Sequence, residues 1–255
     1  MSKRLLCFLP LLFLTNGFAD EEGGGPDISN WSITIKGGPA YPVMGEFTGS
    51  TAEQTTTTTD PDGNEVITGN AANIQALSWD DAYEDFLDLA VEVDFWEDAT
   101  RSLYLGISHT RATGKTTSLG SFNGSQLTAT FSDYSDTGIY AGFRWGLGEG
   151  SWIKSLISVQ AGGAMVDNIE ANVTSIPNVS QIPLYKQTTV FSGGVFLSVI
   201  ITPLDFFEIG IESGLRYQTA PKADDSQVSL LGLEGINSEG KLGLVPVRIL
   251  ATFKF

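Results

Sequence analysis

Leu244-Val245-Pro246-Val247-Arg248-Ile249-Leu250-Ala251-Thr252-Phe253-Lys254-Phe255 is the stretch on which the reading of this chain turns. Val245, Val247, Ile249, Ala251, Phe253 and Phe255 occupy every second position, with Arg248, Thr252 and Lys254 between them. A strict period of two places one set of side chains on each face of a β-strand. Working back toward the N-terminus, the same period recurs seven times. Trp31, Ile33 and Ile35 alternate with Ser32, Thr34 and Lys36, and Leu87 to Phe95 alternate with Asp88, Ala90, Glu92 and Asp94. Leu103 to Ile107, Ile139 to Trp145, Ile157 to Met165, Phe191 to Ile201 and Phe207 to Leu215 follow the same rule. The pattern predicts eight strands, each long enough to cross a bilayer when tilted.

The connections predict how those strands are joined. Glu97 to Arg101, Gly146 to Ser151 and Thr202 to Asp205 are tight turns; Pro42 to Ala82, Arg111 to Ser135, Val166 to Thr188 and Gln218 to Lys241 are long and polar. Long loops on one side and short turns on the other characterise a transmembrane barrel, with loops outside and turns in the periplasm. An even strand number puts both termini on the turn side. Aromatic residues sort the same way. Trp31, Phe95, Phe143, Trp145, Phe207, Phe253 and Phe255 fall on the apolar face near the turns, and Tyr41, Tyr83, Phe191 and Tyr217 fall on it near the loops. Rings with one wet end suit both membrane interfaces. The fold class expected is therefore all-β, an eight-stranded antiparallel up-and-down transmembrane barrel with long extracellular loops and short periplasmic turns.

Composition bounds the rest. The chain has 255 residues, 14 basic and 30 acidic, for a net charge of −16. That balance excludes a general nucleic-acid binder, which needs clustered Lys and Arg. Lys3 and Arg4, the apolar run Leu5 to Leu14, and Gly17-Phe18-Ala19 form a secretory signal cleaved near Ala19. Losing residues 1–19 removes two basic residues and no acidic ones, which leaves −18, and takes away Cys7, the one cysteine. Residues 20–30, with Gly23-Gly24-Gly25-Pro26, read as a flexible periplasmic leader, and 31–255 as the barrel domain.

The 244–255 segment, ending in alternate apolar residues and a terminal Phe, resembles the last strand of bacterial outer-membrane barrels. Gly214-Leu215-Arg216-Tyr217 and Ala141-Gly142-Phe143-Arg144-Trp145 are similar to strands of small OmpA- and OmpX-like barrels. The resemblance implies the outer membrane of a Gram-negative cell, contact with its lipid and lipopolysaccharide, and a monomer. It also implies that Phe253 and Phe255 act as the signal read by the barrel-assembly machinery. It departs from OmpA proper in having no peptidoglycan-binding domain after the last strand.

The polar strand face would line the lumen. It carries Lys36, Asp88, Glu92, Asp94, Arg144, Glu208, Glu212, Arg216, Arg248 and Lys254. An eight-stranded barrel is just wide enough for side chains to fill it, so these charges are expected to pair, because a dry unpaired charge is costly. Glu208 and Glu212 could be read as an acid and base, but neighbouring Arg216 makes an ion pair the simpler account. His109 is the sole His and has the outward parity of Leu105 and Ile107, unlike the His used near the loop end by omptin proteases and lipid A deacylases. Asp60-Pro61-Asp62-Gly63-Asn64 opens like a calcium loop, but Glu65 stands where Gly is needed and Ala71 where Glu is needed. A hairpin with a Pro-Asp-Gly turn explains it better. Asp80, Asp81, Glu84 and Asp85 read as a solvated rim, with divalent cations bridging to lipopolysaccharide as the other reading. No catalytic residue, cofactor or metal site is expected. The function expected is structural or surface-interacting, in envelope integrity, adhesion or binding through the loops. The alternatives are a barrel enzyme or narrow channel and, with an apolar lumen, a secreted lipocalin-like carrier.

Overall fold

The structure is a computed structural model that describes residues 31–50, 57–59, 62, 65–67, 72–97, 101–149, 152–174, 179–231, 233 and 235–255. The segments read from sequence as signal and leader, residues 1–30, lie outside these. Eight strands form a closed antiparallel barrel: β1 Ser32–Met44, β2 Tyr83–Glu97, β3 Arg101–Gly114, β4 Tyr134–Glu149, β5 Ile153–Val166, β6 Thr188–Leu204, β7 Phe207–Gln218 and β8 Leu242–Lys254. Each strand pairs with its neighbours in sequence, and β1 closes the ring on β8 from Ser32↔Lys254 to Met44↔Gly243. The predicted strand count and topology hold. The strands run further toward the loops than the bilayer requires; β3 and β4, for instance, still pair at Ala112↔Tyr134.

Alternation is as clean in space as in sequence. Ser32, Thr34 and Lys36 are buried in the lumen, while Ile35 faces outward at 52% exposure. Ile139, Ile211 and Ile249 are all more than 60% exposed. A band of bare β-branched and aliphatic side chains around a closed sheet is the reverse of a water-soluble barrel, and it fits hydrocarbon. Closure itself satisfies every strand edge, as a lipid environment demands. A lipocalin-like carrier needs the opposite partition, an apolar lumen, so that reading is overturned. Inside, two rings lie where glycine leaves space. Tyr140 covers Gly106 and Tyr104 covers Gly142, so closely that a Cβ on either glycine would fall within 2.4 Å of the ring. Alanine at either position would collide with its tyrosine.

The long connections differ most from expectation. They are not merely polar loops; they fold into a cap. Its main sheet has six strands, ordered Lys222–Ala223, Gln181–Lys186, Ile169–Val173, Ser125–Phe131, Thr116–Phe122 and Ala72–Ile74. A second pair, Glu46–Thr48 with Leu77–Ser78, leads into a helical turn at Trp79–Ala82, capped by the Ser78 side chain and, reciprocally, by Asp81. Thr57–Thr59 pairs with Glu65–Ile67, as the expected hairpin requires, while most of its Pro-Asp-Gly turn lies outside the described residues. Alternate cap residues such as Leu119, Leu127, Ala129, Ile182 and Leu184 are buried. They continue into an aromatic cluster over the barrel mouth, where Phe47 lies 4.9 Å from both Trp79 and Phe131 and 5.3 Å from Tyr83.

Tyr83 is the clear correction among the predicted girdle residues. It is 1% exposed and belongs to the cap core, not to the outer face. The cause is local. Asp85 takes a left-handed conformation (φ 48°), and the β2–β3 register slips between Glu84 and Leu87. A bulge of this kind shifts the parity of everything beyond it. Tyr41 and Phe191 remain outward, at 55% and 54% exposure, and Tyr217 is half-buried. On the turn side Phe95, Trp145, Phe253 and Phe255 are exposed, while Trp31, Phe143 and Phe207 are half-buried.

Candidate functional site: the ion-paired lumen

All ten predicted lumen charges lie inside the barrel, most of them sealed from water. At its centre Lys36 Nζ donates to Glu212 at 2.8 and 3.0 Å and stands 2.9 Å from Glu92. Glu92 accepts from Arg144, which also grips Asp94, and from the Tyr140 hydroxyl at 2.9 Å. Arg248 bridges Glu212, at 3.0 Å, and Asp88. Asp88 in turn meets Arg216 at 3.3 Å. Six strands, β1, β2, β4, β6, β7 and β8, are thus tied through their inward side chains, Ser198 on β6 adding a hydroxyl to Glu212 at 3.0 Å. Arg144 also stacks over the Tyr104 ring, 4.0 Å from its centroid.

Two pairings differ from expectation. Arg216 does not neutralise Glu208 or Glu212; it turns toward the cap, to Asp88, to the Thr110 hydroxyl at 2.6 Å and to Asp136 at 3.8 Å. Glu208 instead sits near the turn end with Lys254 at 2.8 Å and Lys154 at 3.1 Å. The tilt of the strands explains this, because residues four apart on one strand lie at different depths and meet different partners across the barrel.

Asp136 and Lys154 were not foreseen. Asp136, fully buried, accepts from Tyr134 at 2.8 Å and Gln218 at 3.2 Å just below the cap. Both share the inward parity of their strands, shown by buried Arg144 on β4 and buried Ser158 on β5, but lie beyond the strand limits read from hydrophobicity. Extending the alternation by two or three residues finds them. With one of each sign added, the lumen set is six cations against six carboxylates, so the expected charge balance survives.

This lattice leaves little space. A cavity of about 50 Å³ lies at the turn end among Thr34, Asp94, Ser102, Arg144 and Glu208. Above it the ion pairs fill the bore, and above them the aromatic cap core covers the mouth. Glu212, the carboxylate beside the Ser198 hydroxyl, is already held by Lys36 and Arg248. His109 faces outward and shares a hydrogen with Thr137, Nδ1 to Oγ1 at 3.1 Å. Among the described residues no group of His, Cys, Asp or Glu is arranged to hold a metal ion. Asp80, Asp81, Glu84 and Asp85 are exposed at the cap base, with Asp81 occupied as a helix cap.

Outside, apolar; inside, ion-paired; closed on itself by eight strands: this is the construction of an outer-membrane β-barrel. Comparison with solved structures gives low-similarity matches of the same architecture. The neisserial surface protein NspA matches at TM-score 0.43 and 11% identity, over 88% of this chain and 97% of that one. Ail, the attachment invasion locus protein of Yersinia pestis, gives 0.41 and 10%, over 89% and 99%. The outer-membrane protease OmpT of Escherichia coli gives 0.46 and 10%, over 92% and 99%. No protein-family model and no curated protein sequence matches this chain.

Proposed function

We propose that this protein is a non-catalytic barrel of the outer membrane that anchors a rigid folded cap at the cell surface, serving envelope integrity or contact with partners outside the cell. The observation that carries the reading is the double closure of the bore, by the Lys36–Glu212–Arg248–Asp88 lattice within and the Phe47–Trp79–Tyr83 cluster above. A lumen packed with paired charges can neither conduct freely nor admit a substrate. What remains accessible is the cap. In this reading the chain is exported by a signal cut near Ala19, is assembled through Phe253 and Phe255 at the end of β8, and sits as a monomer among outer-membrane lipid and lipopolysaccharide. Membrane fractionation with heat-modifiability on a gel tests the placement, since a folded barrel sediments with the outer membrane and changes mobility on boiling. Planar-bilayer recordings test the closure: purified monomer is expected to give no stable conductance. Large steady currents that scale with salt would overturn the sealed-anchor reading in favour of a channel.

A further inference from the structure

The outward face of β3 changes character partway up. Leu105 and Ile107 are 53% and 50% exposed, an acyl-facing stretch shared with Leu89 on β2 and Ile139 on β4. The next two outward positions are His109 and Arg111. His109 lies between Leu89 and Thr137, and Arg111 between Leu87 and Ser135. They belong to the loop-side band that also holds Tyr41 and Phe191, where hydrocarbon gives way to headgroups. Arg111 is exposed, and among the described residues it makes no hydrogen bond or ion pair. That is unusual here, because acids outnumber bases two to one and the other described arginines are engaged. Asp133, two residues before Ser135, is committed to the Gly114 amide at 3.1 Å.

A guanidinium cannot shed its charge and presents a planar fork of donors matched to a tetrahedral oxyanion. At the edge of hydrocarbon it needs an anionic partner, and no carboxylate among the described residues is paired with it. His109 is already oriented, because its Nδ1 is held by Thr137 Oγ1 and Nε2 is left as the free ring nitrogen. The Ser135 and Thr113 hydroxyls flank the pair on the same outward parity. We propose that Arg111 and His109 form a site for the phosphate of a lipid headgroup in the leaflet on the cap side, with Ser135 and Thr113 as auxiliary donors and Leu105, Ile107 and Ile139 under its acyl chains. This rests on the membrane placement argued above and names the lipid chemistry the barrel would select.

The test uses the full chain in phosphate-free detergent, with folded barrel read as the unboiled gel band during a thermal ramp. Diphosphorylated lipid A is expected to raise the midpoint for the wild type and to bind at least about tenfold more weakly to Arg111→Gln, the loss typical of one charge-assisted hydrogen-bond pair. Arg111→Lys should recover part of that affinity and His109→Gln should lose a smaller part. Lipid A stripped of phosphate and inorganic phosphate alone should leave the midpoint unchanged. An equal shift in Arg111→Gln, or with dephosphorylated lipid A, would overturn the site; a shift with inorganic phosphate alone would overturn the lipid. Failure of the membrane placement looks different, since no heat-modifiable band would be present at the start.

Discussion

Glu212 is the residue on which most of the lumen depends. It accepts from Lys36 and Arg248 on the closing strands and from Ser198 on β6, with no contact with water. Removing one member of a buried ion network strands its partners without compensation, at about 3–5 kcal/mol. Glu212→Ala should therefore lower the unfolding free energy of barrel refolded in detergent, read from urea titration, by that much. Glu208→Ala should lower it by about 1 kcal/mol, since Lys154 and Lys254 still reach water. Equal losses would mean that depth in the lumen does not govern the pairing. These ten charges were legible in sequence because each interrupts an apolar alternation. Their individual partners were not, because strand tilt sets the pairing, and alternation along a strand carries no information about tilt. Arg216 shows the limit: four residues from Glu212, it meets carboxylates from β2 and β4 instead.

Strands and cap segments differ in how loudly they announce themselves. On β6, Val199 is 54% exposed and pairs outward with Ile211. Arginine there, near the middle of the hydrocarbon, should cost about 2–4 kcal/mol, and arginine at Met165, in the loop-side band, about 0–1. A flat response across the two positions would show the outward register to be wrong. The cap was missed as structure because its strands run only two to seven residues. Alternations that short, set among Thr, Ser, Asn and Gly, do not separate from loop composition. Their core forms only when four connections far apart in sequence meet. Phe47 is its centre, completely buried against Trp79, Tyr83, Phe131 and Tyr185. Phe47→Ala should cost about 3–5 kcal/mol, read as protease nicking of the cap while the barrel band on an unboiled gel persists. Joint loss of both would make cap and barrel one cooperative unit. The cap should also loosen in alkali. Burial, with the Glu239 carboxylate, holds the Tyr185 phenol above its ordinary value, and its hydroxyl donates to the Phe47 carbonyl at 2.6 Å. A pKa raised by folding adds stability that is complete below the unfolded value of about 10 and declines as pH rises through the folded one. Protease resistance should accordingly fall less steeply above pH of about 10 in Tyr185→Phe than in the wild type.

At the scale of the whole molecule, everything depends on one seam, because seven of the eight barrel junctions join sequence neighbours and the eighth joins the two ends. β8 must find β1 across the full length of the chain. An open edge in lipid leaves N–H and C=O groups unsatisfied at several kcal/mol each, so the seam cannot wait for the rest to settle. Phe255 sits where that search ends. Its amide donates to the Trp31 carbonyl at 3.0 Å, and its ring stacks on Trp31 with centroids 4.3 Å apart. The terminal residue therefore adds one rung and one ring contact to a ladder that runs without it from Ser32↔Lys254 upward. One hydrogen bond and one aromatic pair amount to about 1–3 kcal/mol together. Deleting Phe255 should lower the unfolding free energy of refolded barrel, read from its urea midpoint, by no more than that. If the residue is also read by the assembly machinery, the amount of barrel in the outer membrane should fall far more steeply than stability does. The two quantities separate the roles, since a merely structural Phe255 would move yield and midpoint in proportion. Unchanged yield would remove the assembly role and leave Phe255 as the last rung of the seam.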